Sequence, residues 1–245
     1  MKKIYILLFI GFALNLSAQK VDTIRVGHKF KAIKDLELGK TKDIIYTKVG
    51  ERIMSVSIKM KETKIVSINN QDYLSFTHNW HSGKPEESVS FEYICDTETL
   101  KPIQHIRVSE KVGKEAFSFD GLQITGLDSV ASNAQQDFSM DLTEPTYNWE
   151  IDLETYSLLP MKKGYHALMN FYHPGSQFEP KFYHLKVTGS EMIKLPNGKS
   201  IDCWVVYTDY GGTQPSRFWY TKKGQNFVKM EGKYNQLTIL KERIF

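Results

Sequence analysis

The sequence predicts an all-β fold with one or two short helices, on three observations. Apolar and polar residues alternate with period two in run after run, the pattern of strands with one buried face. Turn residues separate the runs. A single segment, residues 149–159, switches to helical spacing, with Trp149, Leu153, Tyr156 and Leu158 or Leu159 on one side and Pro160 as its stop.

Taken in order, Met54, Val56, Ile58 and Met60 alternate with Ser55, Ser57, Lys59 and Lys61, which predicts an amphipathic strand with the apolar set turned to the core. Tyr73-Leu74-Ser75-Phe76 begins another. Val89, Phe91, Tyr93 and Cys95 alternate with Ser88, Ser90, Glu92 and Ile94. Tyr183, Leu185 and Val187 interleave with His184, Lys186 and Thr188. Ile201, Cys203, Val205 and Tyr207 interleave with Asp202, Trp204, Val206 and Thr208, so that strand is partly apolar on both faces. Asp120-Gly121 reads as a two-residue hairpin loop, and Pro196-Asn197-Gly198 as a tight turn. Asn69-Asn70-Gln71-Asp72 and Lys222-Lys223-Gly224-Gln225 carry weaker turn signals, and the Ser/Asn/Gln-rich residues 129–136 suit a connector. No repeat, low-complexity linker or charge block divides the chain.

The N-terminus has a different character. Lys2 and Lys3 precede an apolar run over residues 4–14, followed by small residues at Ser17 and Ala18. The run is shorter than the roughly 18 residues that span a bilayer, which predicts a signal peptide, residues 1–18, cleaved after Ala18. No Cys stands at the cleavage point, so a lipid anchor there is not expected. The product would be a single β-rich domain, residues 19–245, in the periplasm of a Gram-negative bacterium, or extracellular, and not membrane-spanning. Loss of the two lysines lowers the formal charge from +4 to +2, too near neutrality for a nucleic-acid partner.

Motifs for chemistry are sparse. GxSxG, SxxK with KTG, HExxH and Gly-rich phosphate loops are absent from the sequence. His78 and His81 are three apart, which in a strand puts them on opposite faces and argues against a shared metal. Tyr165-His166, Tyr172-His173 and Tyr183-His184 fit plain strand alternation among thirteen tyrosines and seven histidines. Neighbouring acids such as Glu150 and Asp152 do not by proximity make a catalytic pair. Cys95 and Cys203 lack CxxC spacing and fit two buried thiols better than a bridge. No catalytic residue, metal or cofactor is expected.

The aromatic content, 13% of residues, either packs the core or lines a cavity. On the second reading the ligand-binding residues are Phe91, Tyr93, Tyr183, Tyr207 and Trp219, on a concave sheet holding an apolar, lipid-like ligand or an envelope partner protein. An assembly factor acting through a sheet edge and an envelope glycan or ester hydrolase are the alternatives.

Three stretches carry a family resemblance: Cys95-Asp96-Thr97-Glu98-Thr99-Leu100-Lys101-Pro102; Asp152, Tyr156 and Leu158-Leu159-Pro160 with Leu195-Pro196-Asn197-Gly198-Lys199; and Arg217-Phe218-Trp219-Tyr220-Thr221 with Phe227-Val228-Lys229-Met230. In this order the chain, over roughly residues 50 to 240, resembles an uncharacterised family of exported bacterial proteins, a domain of unknown function similar to the lipoprotein-carrier half-barrels LolA and LolB. The resemblance implies a curved antiparallel sheet, or incomplete β-barrel, wrapped around a short helix, and carries over no catalytic residue.

Overall fold

The computed structural model describes residues 20–195, 198–212 and 214–244; the expected signal peptide, and Pro196 and Asn197 of the expected turn, lie outside them. The strands are β1 (Asp22–Ile24), β2 (Gly39–Val49), β3 (Arg52–Ile68), β4 (Gln71–Ser82), β5 (Val89–Asp96), β6 (Pro102–Ser109), β7 (Gly113–Asp120), β8 (Gln123–Gly126), β9 (Ser139–Asp141), β10 (Tyr147–Asn148), β11 (His166–Tyr172), β12 (Lys181–Lys194), β13 (Ser200–Thr208), β14 (Ser216–Thr221), β15 (Phe227–Tyr234) and β16 (Leu237–Ile244). A 3-10 turn, Trp149–Ile151, leads into the helix α1 (Asp152–Ser157).

All the strands join one open, curved sheet. Two antiparallel meanders build it, β2 to β9 and β11 to β16, and they meet where β16 pairs with β2 from Leu237↔Val49 to Ile244↔Lys42. β1 and β10 add to β11 in parallel. Register shifts in the β2–β3, β5–β6, β12–β13 and β14–β15 pairings mark bulges, which bend strands and help curve the sheet. The edges β1 and β9 stay unjoined by a ladder. Side chains behind those edges link the two meanders: Tyr172 of β11 packs with Phe117, Phe119 and Ile124 of β7 and β8, and Asn148 of β10 bonds His105 of β6 at 3.1 Å.

The helix lies against the concave face. At six residues it is too short to persist alone, so packing holds it. Leu153, Tyr156, Leu158 and Leu159 belong to one buried cluster with Met169, Phe171, Leu185, Phe218, Tyr220 and Phe227. Tyr156 meets Phe218 edge-on at 5.2 Å, and the Tyr220 hydroxyl donates to the Leu153 carbonyl at 3.0 Å. The helical spacing read over residues 149–159 thus marks a real element, shortened at its start, where Trp149–Ile151 form the 3-10 turn, and ending at Ser157 with Leu158 as its C-cap.

The strand faces agree with the sequence at β5, β12 and β13. Tyr93, Cys95, Tyr183, Leu185 and Val187 are buried in the inner cluster, and β13 is buried on both sides, Val206 inward and Cys203 and Val205 in an outer cluster with Trp219 and Val228. Cys95 and Cys203 are both buried and unbonded, on opposite faces. Two expectations change. The β7–β8 loop is Gly121-Leu122, because Asp120 still pairs with Gln123 and Gly121 takes φ +58°. At β3 the faces are inverted: Lys59, Lys61 and Thr63 are buried inside, while Met54, Val56 and Met60 are exposed on the convex side.

Residues 127–138 form the predicted connector, pinned by Asn133, whose side chain accepts from the Ala116 amide and donates to the Ala116 carbonyl. Gly126 sits beneath this loop. A Cβ there would strike the backbone carbonyls of Gln135 and Gln136. Gly126→Ala is expected to cost about 1–3 kcal/mol, read as a lower urea midpoint; an unchanged midpoint would show that the loop yields freely.

Candidate functional site

The inverted face of β3 follows from charge. Lys61 points under the helix, 3.2 Å from the Asp43 carboxylate of β2 and 3.5 Å from Glu154 of α1. Asp43 is fully buried. Burying such charges without partners is prohibitive, so these three groups require one another. Burial works against the Lys61 ammonium, but Glu154 and Asp43 outweigh it and hold its pKa above the ordinary lysine value.

Lys59, one pleat along β3, has no such match. Among the described residues its ammonium makes no ion pair; it lies 5.0 Å over the Trp80 ring, which Lys241 approaches at 5.7 Å from β16. Burial, reinforced by Lys241, pushes its pKa down to about 7. Burial also lifts Asp152 on the helix to about 6, although the lysines oppose this, and Tyr210 donates to its Oδ2 at 3.2 Å. His78, buried beside Lys59 and Lys61, is held well below its ordinary pKa and is neutral, so its 3.7 Å approach to Glu154 is a polar contact without charge.

Aromatic rings close the rest of the concave space. Phe91 stacks on Tyr93 at 5.9 Å, and Tyr93 meets His78 and His105 edge-on at 5.0 and 5.1 Å. Asn148 accepts from the Glu150 amide through Oδ1, so its Nδ2 donates to His105 Nδ1 and the His105 proton sits on Nε2. Burial depresses His105 to about 3. The Tyr93 hydroxyl, His78 Nδ1 and Trp80 Nε1 are buried without hydrogen-bond partners. The cleft beside Lys61, Thr63 and Glu154 has a volume of only about 40 Å³, room for water and not for an acyl chain.

The five residues expected to bind ligand therefore separate. Phe91 and Tyr93 come together on the concave face, and Tyr183 lies elsewhere on it, 5.2 Å from Trp149. Tyr207 and Trp219 stand on the convex face, which corrects their assignment to a concave surface. Alternation gave two faces to β13 and β14 without saying which turned inward. Trp219 is buried there, donating to Glu191 at 2.9 Å under the Arg217 guanidinium. Tyr207 borders a hollow of about 110 Å³ with His166 and His184, whose rings are bonded at 2.9 Å.

The larger opening was missed by sequence reasoning. It is a groove of about 500 Å³ across β16, β2, β3 and β4, with Met60 and Ile244 supplying apolar surface, Lys40 and Lys42 positive charge and Glu62 a negative one, while Arg243 on its border is paired with Glu37. The register aligns Ile244, Lys42, Met60 and Asn79 in one row across the four strands, and Ile44 and Ile58 in the next. This surface exists because the apolar set of β3 faces out. Its signal in the sequence was the run of acids on the helix and the turn before it, Glu150, Asp152 and Glu154, which calls for cations on the facing strand.

The sequence model of a family of proteins of unknown function, DUF3108, matches residues 40–240. The chain belongs to this family. The match runs from β2 into the first half of β16 and so takes in nearly all of both meanders and the groove residues other than Arg243 and Ile244. No curated protein matches the chain. In this DUF3108 member no helix among the described residues is long and apolar enough to cross a membrane.

The two buried lysines give opposite expectations. Between pH of about 7 and 10.5 the unfolded chain holds the Lys59 proton that the folded one releases, so stability rises with pH across that window. Lys59→Met is expected to flatten that rise and to add about 1–4 kcal/mol at pH 7. Lys61→Met strands Asp43 and Glu154 and is expected to remove about 3–5 kcal/mol. Chemical denaturation of both variants over the pH range checks the pair; equal effects would contradict the geometry.

Proposed function

We propose that this DUF3108 member is a non-enzymatic protein of the cell envelope that binds an amphipathic, lipid-like ligand in the groove over β16, β2, β3 and β4. The groove carries the reading: about 500 Å³ falls in the range of small-molecule sites, and the apolar Met60 and Ile244 beside Lys40 and Lys42 suit an acyl chain bearing an anionic head. The concave face is a poorer receptacle, since Tyr93 and Tyr183 are packed into the core. A role through sheet-edge addition has less support, because the edges β1 and β9 are three residues each. Export rests on the leader over residues 1–18, and N-terminal sequencing of the exported protein is expected to begin at Gln19.

Titration with a fluorescent fatty-acid probe tests the ligand. The purified chain from residue 19 is expected to shift the probe, and Met60→Lys with Ile244→Lys to weaken binding about tenfold or more at unchanged melting temperature. No probe shift and no co-purifying lipid would sink the reading.

A further inference from the structure

We propose that the paired hairpin tips at the far end of the junction form a docking surface for an anionic lipid bilayer. The β2–β3 and β15–β16 tips are held side by side, since Leu237 pairs with both Val49 and Tyr234, and Val49 pairs with Arg52. Val49, Ile53, Met54 and Tyr234 are all exposed there. Met54 is the extra residue of the bulge in this hairpin, since Thr47 pairs with Ser55 and Lys48 with Ile53, and Ile53 and Met54 are 54% and 51% exposed. The β3–β4 ladder begins only at Ser57↔Ser82, so the β2–β3 hairpin projects past β4 with these apolar side chains exposed.

The charge around these side chains has one dominant sign. Lys48, Arg52 and Lys233 flank them, against the single acid Glu51. Shallow apolar side chains ringed by cations match the headgroup layer of a bilayer carrying anionic lipid, with the attraction acting within a Debye length. A second copy of the same surface fits worse, because it would set these cations against their own kind. The tips lie about 23 Å along β2 from Lys42 in the groove, at roughly 3.3 Å per residue. The inference uses different residues from the ligand reading and stands or falls separately.

Sedimentation of the purified chain from residue 19 with vesicles tests it. The chain is expected to sediment with vesicles of phosphatidylcholine and phosphatidylglycerol in equal parts, not with phosphatidylcholine alone, and to be released by salt. The double substitution Ile53→Asp, Met54→Asp is expected to weaken this binding about tenfold or more while leaving fatty-acid probe binding intact. Leu122→Asp, equally exposed at the opposite end, leaves vesicle binding unchanged. Failure to sediment with either vesicle, undiminished binding by the double variant, or a dimer in light scattering that the double variant breaks apart would each overturn the proposal.

Discussion

The ionic contact of Lys61 with Asp43 and Glu154 decides more of this structure than any apolar contact does. It ties the β2–β3 hairpin to α1, about ninety residues further along the chain, and it selects between the two registers that alternation allows to β3. A one-residue slip would exchange the faces of a strand entirely. In that slipped state Met60 and Ile58 would face the helix, and the helix carboxylates would lose their cations. The convex apolar row is thus the counterpart of an interior that is charged.

That interior is also crowded. Around the ion pairs, Trp80, Phe91, Tyr93, His78 and His105 form a nearly continuous aromatic layer, and the helix brings Tyr156 and Trp149 down onto the other half of the sheet. Little space is left for a guest. The open surface lies where the sheet has no second layer, over the junction of the two meanders.

Much of the fold was legible in the sequence. The alternation at β5, β12 and β13 placed Tyr93, Cys95, Leu185 and Cys203 in buried positions, and Pro160 and the spacing of Leu153 and Tyr156 marked the helix. Asn69 and Asn70 both adopt positive φ in the β3–β4 turn, as their residue type suggested. What alternation does not encode is which face turns inward. At β3 the apolar set looked like core, and only the acids of a helix about ninety residues away reveal otherwise. Trp219 and Tyr207 were assigned inward for the same reason, since β13 and β14 are covered on both sides. The groove was invisible because it needs β16 beside β2, a pairing that no local pattern signals.

That pairing sets the order in which the molecule can be completed. A chain made from its N-terminus forms the β2–β9 hairpins from local contacts, but the free side of β2 waits for residues 237–244. Until they arrive, an eleven-residue strand stands as an open edge with its backbone groups unmatched and an apolar row beside it. The growing chain is therefore most prone to mispairing along the very strand that later floors its widest groove, and that hazard ends only when β16 docks.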